Sequence, residues 1–116
     1  MKLVTAVIQP DKLHEVIDAA VAVGAHGLTA AEVRGFGQQF GRRPGHREAG
    51  WDPQWQAALL PKVRIDVVVP DDLAQPVAQA IAKCANTGTI GDGKLWVSPV
   101  EGALRVRTGE YDDGAL

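Results

Sequence analysis

The sequence is poor in the features that mark several specialised classes of protein. It contains a single cysteine, so no disulfide can form within the chain. Aromatic residues make up only 5% of it, and no apolar run approaches the ~20 residues of a membrane-spanning helix. The formal net charge of -2 gives no general attraction to nucleic acid or to an anionic membrane. We therefore predict no nucleic-acid partner and no direct membrane insertion, and any bound phosphate must be met by a local cluster.

The length and the N-terminal residues predict a small cytoplasmic protein. Residues 1–13 lack the basic start, apolar middle and small-residue cleavage site of a secretory signal. With 116 residues, 46% of them hydrophobic and 22% charged, the chain has the size and composition of one globular domain. We expect a single domain over residues 1–116.

Hydrophobic patterning predicts the element order βαββαβ. Short runs rich in Val, Ile and Leu indicate strands, and apolar stripes at helical spacing indicate helices. The predicted elements are a strand at 2–9, a helix at 13–23, strands at 26–35 and 63–69, a helix at 73–84, a strand at 95–97 and a further strand segment at 104–107. Pro76 removes a backbone donor inside the second helix, so we expect its first turn to be frayed or to begin later. The order predicts a ferredoxin-like α+β fold with both helices on one face of an antiparallel sheet.

The sheet face away from the helices also carries apolar residues. Leu3 or Val4, Ala6 or Val7, and Val68 would point to that face, where a solvated sheet is normally polar. Burial against identical copies is the simplest remedy, so we predict a symmetric homo-oligomer.

Two stretches stand out between the predicted elements. Residues 37–58 contain Gly, Pro and polar side chains without a sustained period, and long loops of this kind are usually functional or disordered. We predict a long functional loop there. Residues 86–94 combine closely spaced glycines with Lys94, which suits a phosphate cradle. On this stretch alone an ordinary helix-to-strand connection is the favoured interpretation, and its lysine leads into a strand instead of a P-loop helix.

Arg105 and Arg107 are spaced to share one strand face near Lys94, where an anion would relieve their repulsion. Pairing with Glu101, Glu110 or Asp112 on a solvated edge is the alternative. Cys84 lies on the apolar stripe of the second predicted helix and is expected to be a packed core residue.

Five segments in order, Gly35–Gly37, Leu60–Val63, Val69–Leu73, Thr87–Lys94 and Arg105–Glu110, resemble the PII nitrogen-regulatory family. The resemblance implies a homotrimer that binds ATP or ADP in clefts between subunits. By matching positions it implies that the nucleotide site contains Gly35, Gly37, Gln38, Asp66, Val68, Thr87, Gly88, Gly91, Asp92, Gly93, Lys94, Arg105 and Arg107, with Asp66 and Val68 by the adenine. Residues 105–116 would form a C-terminal loop.

The same resemblance implies that Gln39 helps to hold Mg²⁺ and 2-oxoglutarate, and that Lys62 pairs with a carboxylate of that acid. The chain departs from the family pattern at Gln38, where an arginine is expected, and at Thr89, where a lysine is expected. The loop at residues 37–58 is longer than the family pattern, and it has Trp55 where many members of the family carry a tyrosine that is covalently modified. Candidate residues for binding a regulated membrane transporter or enzyme are Arg42, Arg43, Arg47, Trp51 and Trp55.

Three functional hypotheses follow. The first is a non-enzymatic regulator in which nucleotide binding changes the long loop. The second is a related trimer that senses a different small metabolite or a metal-related signal without responding to 2-oxoglutarate. The third is a weak ATP-hydrolysing enzyme, for which the sequence offers no convincing general base.

Overall fold

The computed structural model describes residues 1–37 and 59–116. The predicted loop at 37–58 therefore lies, apart from Gly37, outside the described residues. The elements are β1 (Lys2–Ile8), α1 (Leu13–Ala22), β2 (Thr29–Gly35), β3 (Leu60–Val69), α2 (Asp71–Ala85) and β4 (Gly93–Pro99), with short 3-10 helices at Pro10–Lys12 and Asp112–Ala115. Within the two described stretches the order βαββαβ is confirmed.

The four strands form one antiparallel sheet in the order β2-β3-β1-β4. Thr5 at the centre of β1 is paired with Asp66 of β3 on one side and Trp96 of β4 on the other. Both helices contribute to the same buried cluster, which covers one face of the sheet. The ferredoxin-like α+β prediction is confirmed.

Strand alternation decides which residues of β1 enter the core. Val4, Ala6 and Ile8 are almost completely buried and belong to one cluster with Val16 of α1 and Ile81 of α2. Full burial of each Val or Ile side chain stabilises the fold by ~1.5–3 kcal/mol. Cys84 of α2 packs against this cluster, as predicted.

Helix α2 begins at Asp71, so the expectation of a delayed start at Pro76 is wrong. Pro76 lies on the exposed side of the helix, whereas Val77 and Ile81 face the core. Asp71 and Asp72 stand in the first turn, where their charges favour the positive end of the helix dipole. Core packing and the acidic first turn therefore outweigh the one backbone donor that proline removes.

The opposite face of the sheet is open in the single chain. Because Val4 and Ala6 face the core, Leu3 and Val7 point the other way, and both are half-buried. Val68 is also half-buried on this face, and Trp96 is 43% exposed there. Thr5 lies between Asp66 and Trp96 and is fully buried.

The predicted strand segment at 104–107 is wrong. Leu104 makes a single bridge to Tyr111, and the chain turns back between them. Arg105 N donates to Glu110 O (2.9 Å), and Gly109 N donates to Arg105 O (2.8 Å). Gly109, at φ 73, supplies the left-handed conformation that this turn requires. No helix in the described part of the chain is long and apolar enough to cross a membrane.

Candidate functional site

The carboxylate of Asp92 organises the glycine-rich turn that joins α2 to β4. It accepts hydrogen bonds from Thr87 N (2.7 Å), Thr87 Oγ1 (2.5 Å) and Gly88 N (3.0 Å). Asn86 Oδ1 also accepts from Gly88 N, at 2.8 Å. The Thr87 hydroxyl, followed by the main-chain amides, lowers the pKa of Asp92 below its ordinary value. Asp92 is therefore an anion at neutral pH that fixes the shape of the turn from within.

Gly93 is required where the turn enters β4. Its φ of 104 is a conformation that L side chains rarely adopt. A Cβ atom at this position would also lie 1.8 Å from the carbonyl oxygen of Val7 in β1. The main chain of the turn therefore approaches β1 more closely than any other residue type would permit.

Lys62 of β3 connects the sheet to this turn. Its Nζ donates a hydrogen bond to Gly91 O at 2.7 Å, and the residue is only 9% exposed. Burial lowers the pKa of Lys62, and the nearby charge of Asp92 partly opposes that effect. Gly35 of β2 leaves room for the stem of Lys62, because a Cβ there would lie 3.3 Å from Lys62 Cγ.

An open cavity of about 720 Å³ lies between the glycine-rich turn and the end of β2. Its lining residues are Val7, Gly35, Phe36, Gly37, Lys62, Thr89, Ile90, Gly91, Asp92, Gly93, Lys94 and Trp96. Two lysines and one aspartate give it a net positive lining, and no carboxylate in the described part of the chain pairs with Lys94. The cavity is thus suited to a small anionic ligand with an apolar side.

Of the thirteen predicted site residues that the structure describes, seven line the cavity. Those that line the cavity are Gly35, Gly37, Lys62, Gly91, Asp92, Gly93 and Lys94. Thr87 and Gly88 stand behind the lining and hold Asp92. The predicted residues that lie outside the described part of the chain are Gln38, Gln39, Arg42, Arg43, Arg47, Trp51 and Trp55.

Asp66 and Val68 lie on the open sheet face and are not among the cavity lining. Asp66 accepts a hydrogen bond from Thr5 Oγ1 at 2.7 Å and pairs with Arg64 Nε at 3.1 Å. Burial raises the pKa of Asp66, but the bonds from Thr5 and Arg64 and the charge of Arg64 outweigh it and leave the pKa lowered. Asp66 is therefore a fixed anion at the centre of that face.

Arg105 and Arg107 also lie outside the cavity of their own chain. Arg105 Nε and Nη2 donate to the main-chain oxygens of Ala115 (3.3 Å) and Leu116 (2.7 Å). Its Nη1 is 3.8 Å from Glu110 Oε1, so the predicted alternative of pairing with Glu110 is observed at long range. Arg107 is exposed and forms no ion pair with any described residue.

Sequence reasoning did not assign several side chains that the structure places at the site. Val7, Phe36, Ile90 and Trp96 form the apolar part of the cavity, and Arg64 pairs with Asp66. The sequence signal for two of them is an apolar residue next to glycine, as for Phe36 between Gly35 and Gly37 and for Ile90 before Gly91. Placing Trp96 at the cavity requires the register of β4 against β1, which the sequence alone does not provide. Among residues 1–37 and 59–116, no group of three His, Cys, Asp or Glu side chains could hold a metal ion.

These features define a class: a ferredoxin-like α+β protein with a lysine-lined cavity beside a rigid glycine turn. The family model described as nitrogen regulatory protein P-II matches residues 1–110, and the chain belongs to that family. It is 45% identical over 116 residues to nitrogen regulatory protein GlnK of Escherichia coli strain K12, with the full length of both chains covered. It is 44% identical, again over the full length of both chains, to nitrogen regulatory protein P-II 1 of the same strain and of Salmonella typhimurium. The resemblance found in the sequence is confirmed.

Proposed function

We propose that this chain is a signal-transduction regulator that binds ATP or ADP in clefts between the subunits of a homotrimer. Nucleotide binding controls a membrane transporter or a metabolic enzyme through residues 37–58. Mg²⁺ and 2-oxoglutarate are its candidate co-ligands. The supporting observations are the family membership and the site geometry. We place the protein in the cytoplasm.

The observation that carries the proposal is the glycine turn held by Asp92 beside Lys62 and Lys94. The turn is organised by bonds within the chain itself, because Thr87 and Gly88 bond the Asp92 carboxylate. Successive main-chain amides in such turns bind anions, and an ammonium group adds charge-assisted bonds to phosphate. Since the turn loses little freedom on binding, most of the interaction contributes to affinity.

The homotrimer supplies what the single chain lacks. The open face includes Trp96, at 43% exposed, and the turn after Leu104 presents Val106 at 96% exposed. Contact between copies would cover these side chains. It would also allow Arg105 and Arg107 of one subunit to reach the cavity of its neighbour, which neither arginine lines in its own chain.

Mg²⁺ would be bound mainly by the nucleotide phosphates, with Gln39 as a protein ligand. This arrangement fits the chemistry of Mg²⁺, which commonly takes few protein ligands and several from phosphates and water. It also fits the described residues, which offer no cluster of carboxylates for a protein-only site.

We propose a non-enzymatic role because the nearby carboxylates are poorly suited to act as a general base. Asp92 is bonded by Thr87 and Gly88, and Asp66 by Thr5 and Arg64. Both have pKa values below their ordinary range, whereas an effective base has a pKa near the working pH.

Isothermal titration with ATP, ADP and AMP, each with and without Mg²⁺ and 2-oxoglutarate, tests the proposal. We expect micromolar or tighter binding of ATP or ADP without steady phosphate release. Lys94→Gln should weaken binding about tenfold to hundredfold through loss of a charge-assisted bond. The matched control is Lys83→Gln, at an exposed lysine of α2, which should leave the affinity unchanged. Flat titrations at millimolar nucleotide, or turnover at an enzymatic rate, would contradict the proposal.

A further inference from the structure

The C-terminal tail, which we define as residues 112–116, folds back onto Arg105. Arg105 Nη2 donates to Leu116 O at 2.7 Å, and its Nε donates to Ala115 O at 3.3 Å. Ala115 and Leu116 are half-buried, whereas every residue from 106 to 114 is exposed. The end of the tail is thus docked against the protein, while the segment leading to it is not.

Local geometry directs the tail toward Arg105. Asp112 N donates to Ala103 O at 2.8 Å, and the Leu104–Tyr111 bridge closes the turn just before it. Asp112 has a φ of 55, a left-handed conformation that a residue with a Cβ adopts at some cost. The chain therefore bends back at Asp112, which directs residues 113–116 toward Arg105.

The docked tail accepts hydrogen bonds from the same N–H groups of Arg105 that a phosphate would bind. An arginine binds phosphate best through a pair of parallel N–H donors. The Nε and Nη2 edge of Arg105 already faces the oxygens of Ala115 and Leu116. On the other side, Nη1 is 3.8 Å from the Glu110 carboxylate, which would repel an approaching phosphate. A phosphate group must therefore displace the tail before it can bind Arg105 through two donors.

We propose that the C-terminal tail is an autoinhibitory segment that occupies Arg105 until the phosphates of a bound nucleotide displace it. The inference rests on the proposed function, because it assumes that Arg105 contacts the nucleotide of a neighbouring subunit. A nucleotide polyphosphate carries several negative charges and can offer Arg105 two charged acceptor oxygens on one phosphorus, so the ligand prevails at sufficient concentration. The apparent dissociation constant equals the intrinsic one divided by the fraction of chains whose tail is released, so a docked tail weakens the apparent affinity.

Deletion of residues 115–116 tests this directly by calorimetry with ATP. We expect the dissociation constant to fall by about threefold to thirtyfold, since the competing oxygens are removed. In an Arg105→Ala background the same deletion should have no effect. Gly114→Ala is a matched control, because its Cβ would make only ordinary contact with Glu110 at 3.6 Å and the tail oxygens remain.

A second measurement on the intact chain does not depend on how well the shortened chain folds. The ¹⁵N heteronuclear NOE of residues 112–116 should fall when ATP saturates the protein, because the tail is released. An unchanged affinity on deletion with folding intact, or a tail that remains rigid with ATP bound, overturns this inference and leaves the proposed function standing. If neither chain binds ATP, the proposed function fails and this inference fails with it.

Discussion

Lys62 Nζ donates a 2.7 Å hydrogen bond to the carbonyl oxygen of Gly91, so a buried lysine of β3 supports the glycine-rich turn. The turn is therefore held from two directions. Asp92 fixes its start through Thr87 and Gly88, and Lys62 fixes its end through Gly91. A ligand in the cavity therefore meets a rigid surface.

Stability should rise with pH through a window set by Lys62. Because burial lowers the pKa of this lysine in the folded state, the unfolded chain binds more protons between that pKa and the ordinary value of 10.5. The free energy of unfolding due to this group therefore increases as pH rises through the window. Urea unfolding of the chain and of Lys62→Met at several pH values measures the effect. If Lys62→Met retains the full rise with pH, Lys62 is not its source.

Gly93→Ala should destabilise the fold strongly. The positive φ alone costs ~1 kcal/mol, and the collision with the Val7 carbonyl forces a main-chain shift, for a total of ~2–4 kcal/mol. Urea unfolding measures this change. Gly27→Ala is the matched control, since a Cβ at Gly27 would meet nothing within 4 Å. Equal stability of the two variants would show that the close approach of the turn to β1 is not present in solution.

Asp92→Asn should loosen the glycine turn without unfolding the protein. Asparagine replaces one charged acceptor oxygen with an amide nitrogen, so the Thr87 and Gly88 amides lose part of their bonding. Their hydrogen exchange, followed by NMR, should accelerate. Asp18→Asn, at an exposed position of α1, should leave both amides unchanged.

The same bonds predict an acid response for Asp92. Its pKa is depressed in the folded state, so its contribution to stability is present above the ordinary value of 3.8. That contribution is lost as pH falls from there through the folded pKa. An NMR titration of the Asp92 carboxyl that gives an ordinary pKa would contradict the hydrogen bonds seen here.

Trp96→Glu should convert the proposed homotrimer to smaller species. The substitution places a second carboxylate near Asp66 on the open face, where contact with another copy would remove it from water without a positive partner. Light scattering after size exclusion should give a mass of about three times 12.3 kDa for the unaltered chain and a lower mass for the variant. Val21→Glu, at a 55% exposed position of α1, is the control and should keep the larger mass. If the unaltered chain is monomeric at micromolar concentration, the proposal of a homotrimer is contradicted.

The elements that sequence reasoning predicted well are those whose pattern has one structural solution. The alternation from Val63 to Val69 requires a strand, and the apolar stripe through Ile81 requires a helix that faces the same core. The glycines before Lys94 likewise predicted a turn between the second helix and the last strand of the sheet, and four predicted site residues of that turn line the cavity; their binding of a ligand stays a prediction.

The errors have local physical causes. Leu104 to Arg107 alternate as a strand would, but Gly109 closes a hydrogen-bonded turn that the alternation does not report. Pro76 does not delay the start of α2 because it lies on the exposed side of the helix, and that position depends on how the helix packs. The neighbourhood of Thr5, Asp66 and Trp96 depends on strand register, which is set by the whole sheet.

The central claim is that a nucleotide polyphosphate binds between the glycine turn of one subunit and the C-terminal arginines of another. A crystal structure of the chain grown with ATP tests it most directly. The account predicts phosphates against residues 91–94 of one subunit, with Arg105 and Arg107 contributed by its neighbour. Phosphates bound elsewhere, or both arginines pointing away from every cleft between subunits, would contradict it.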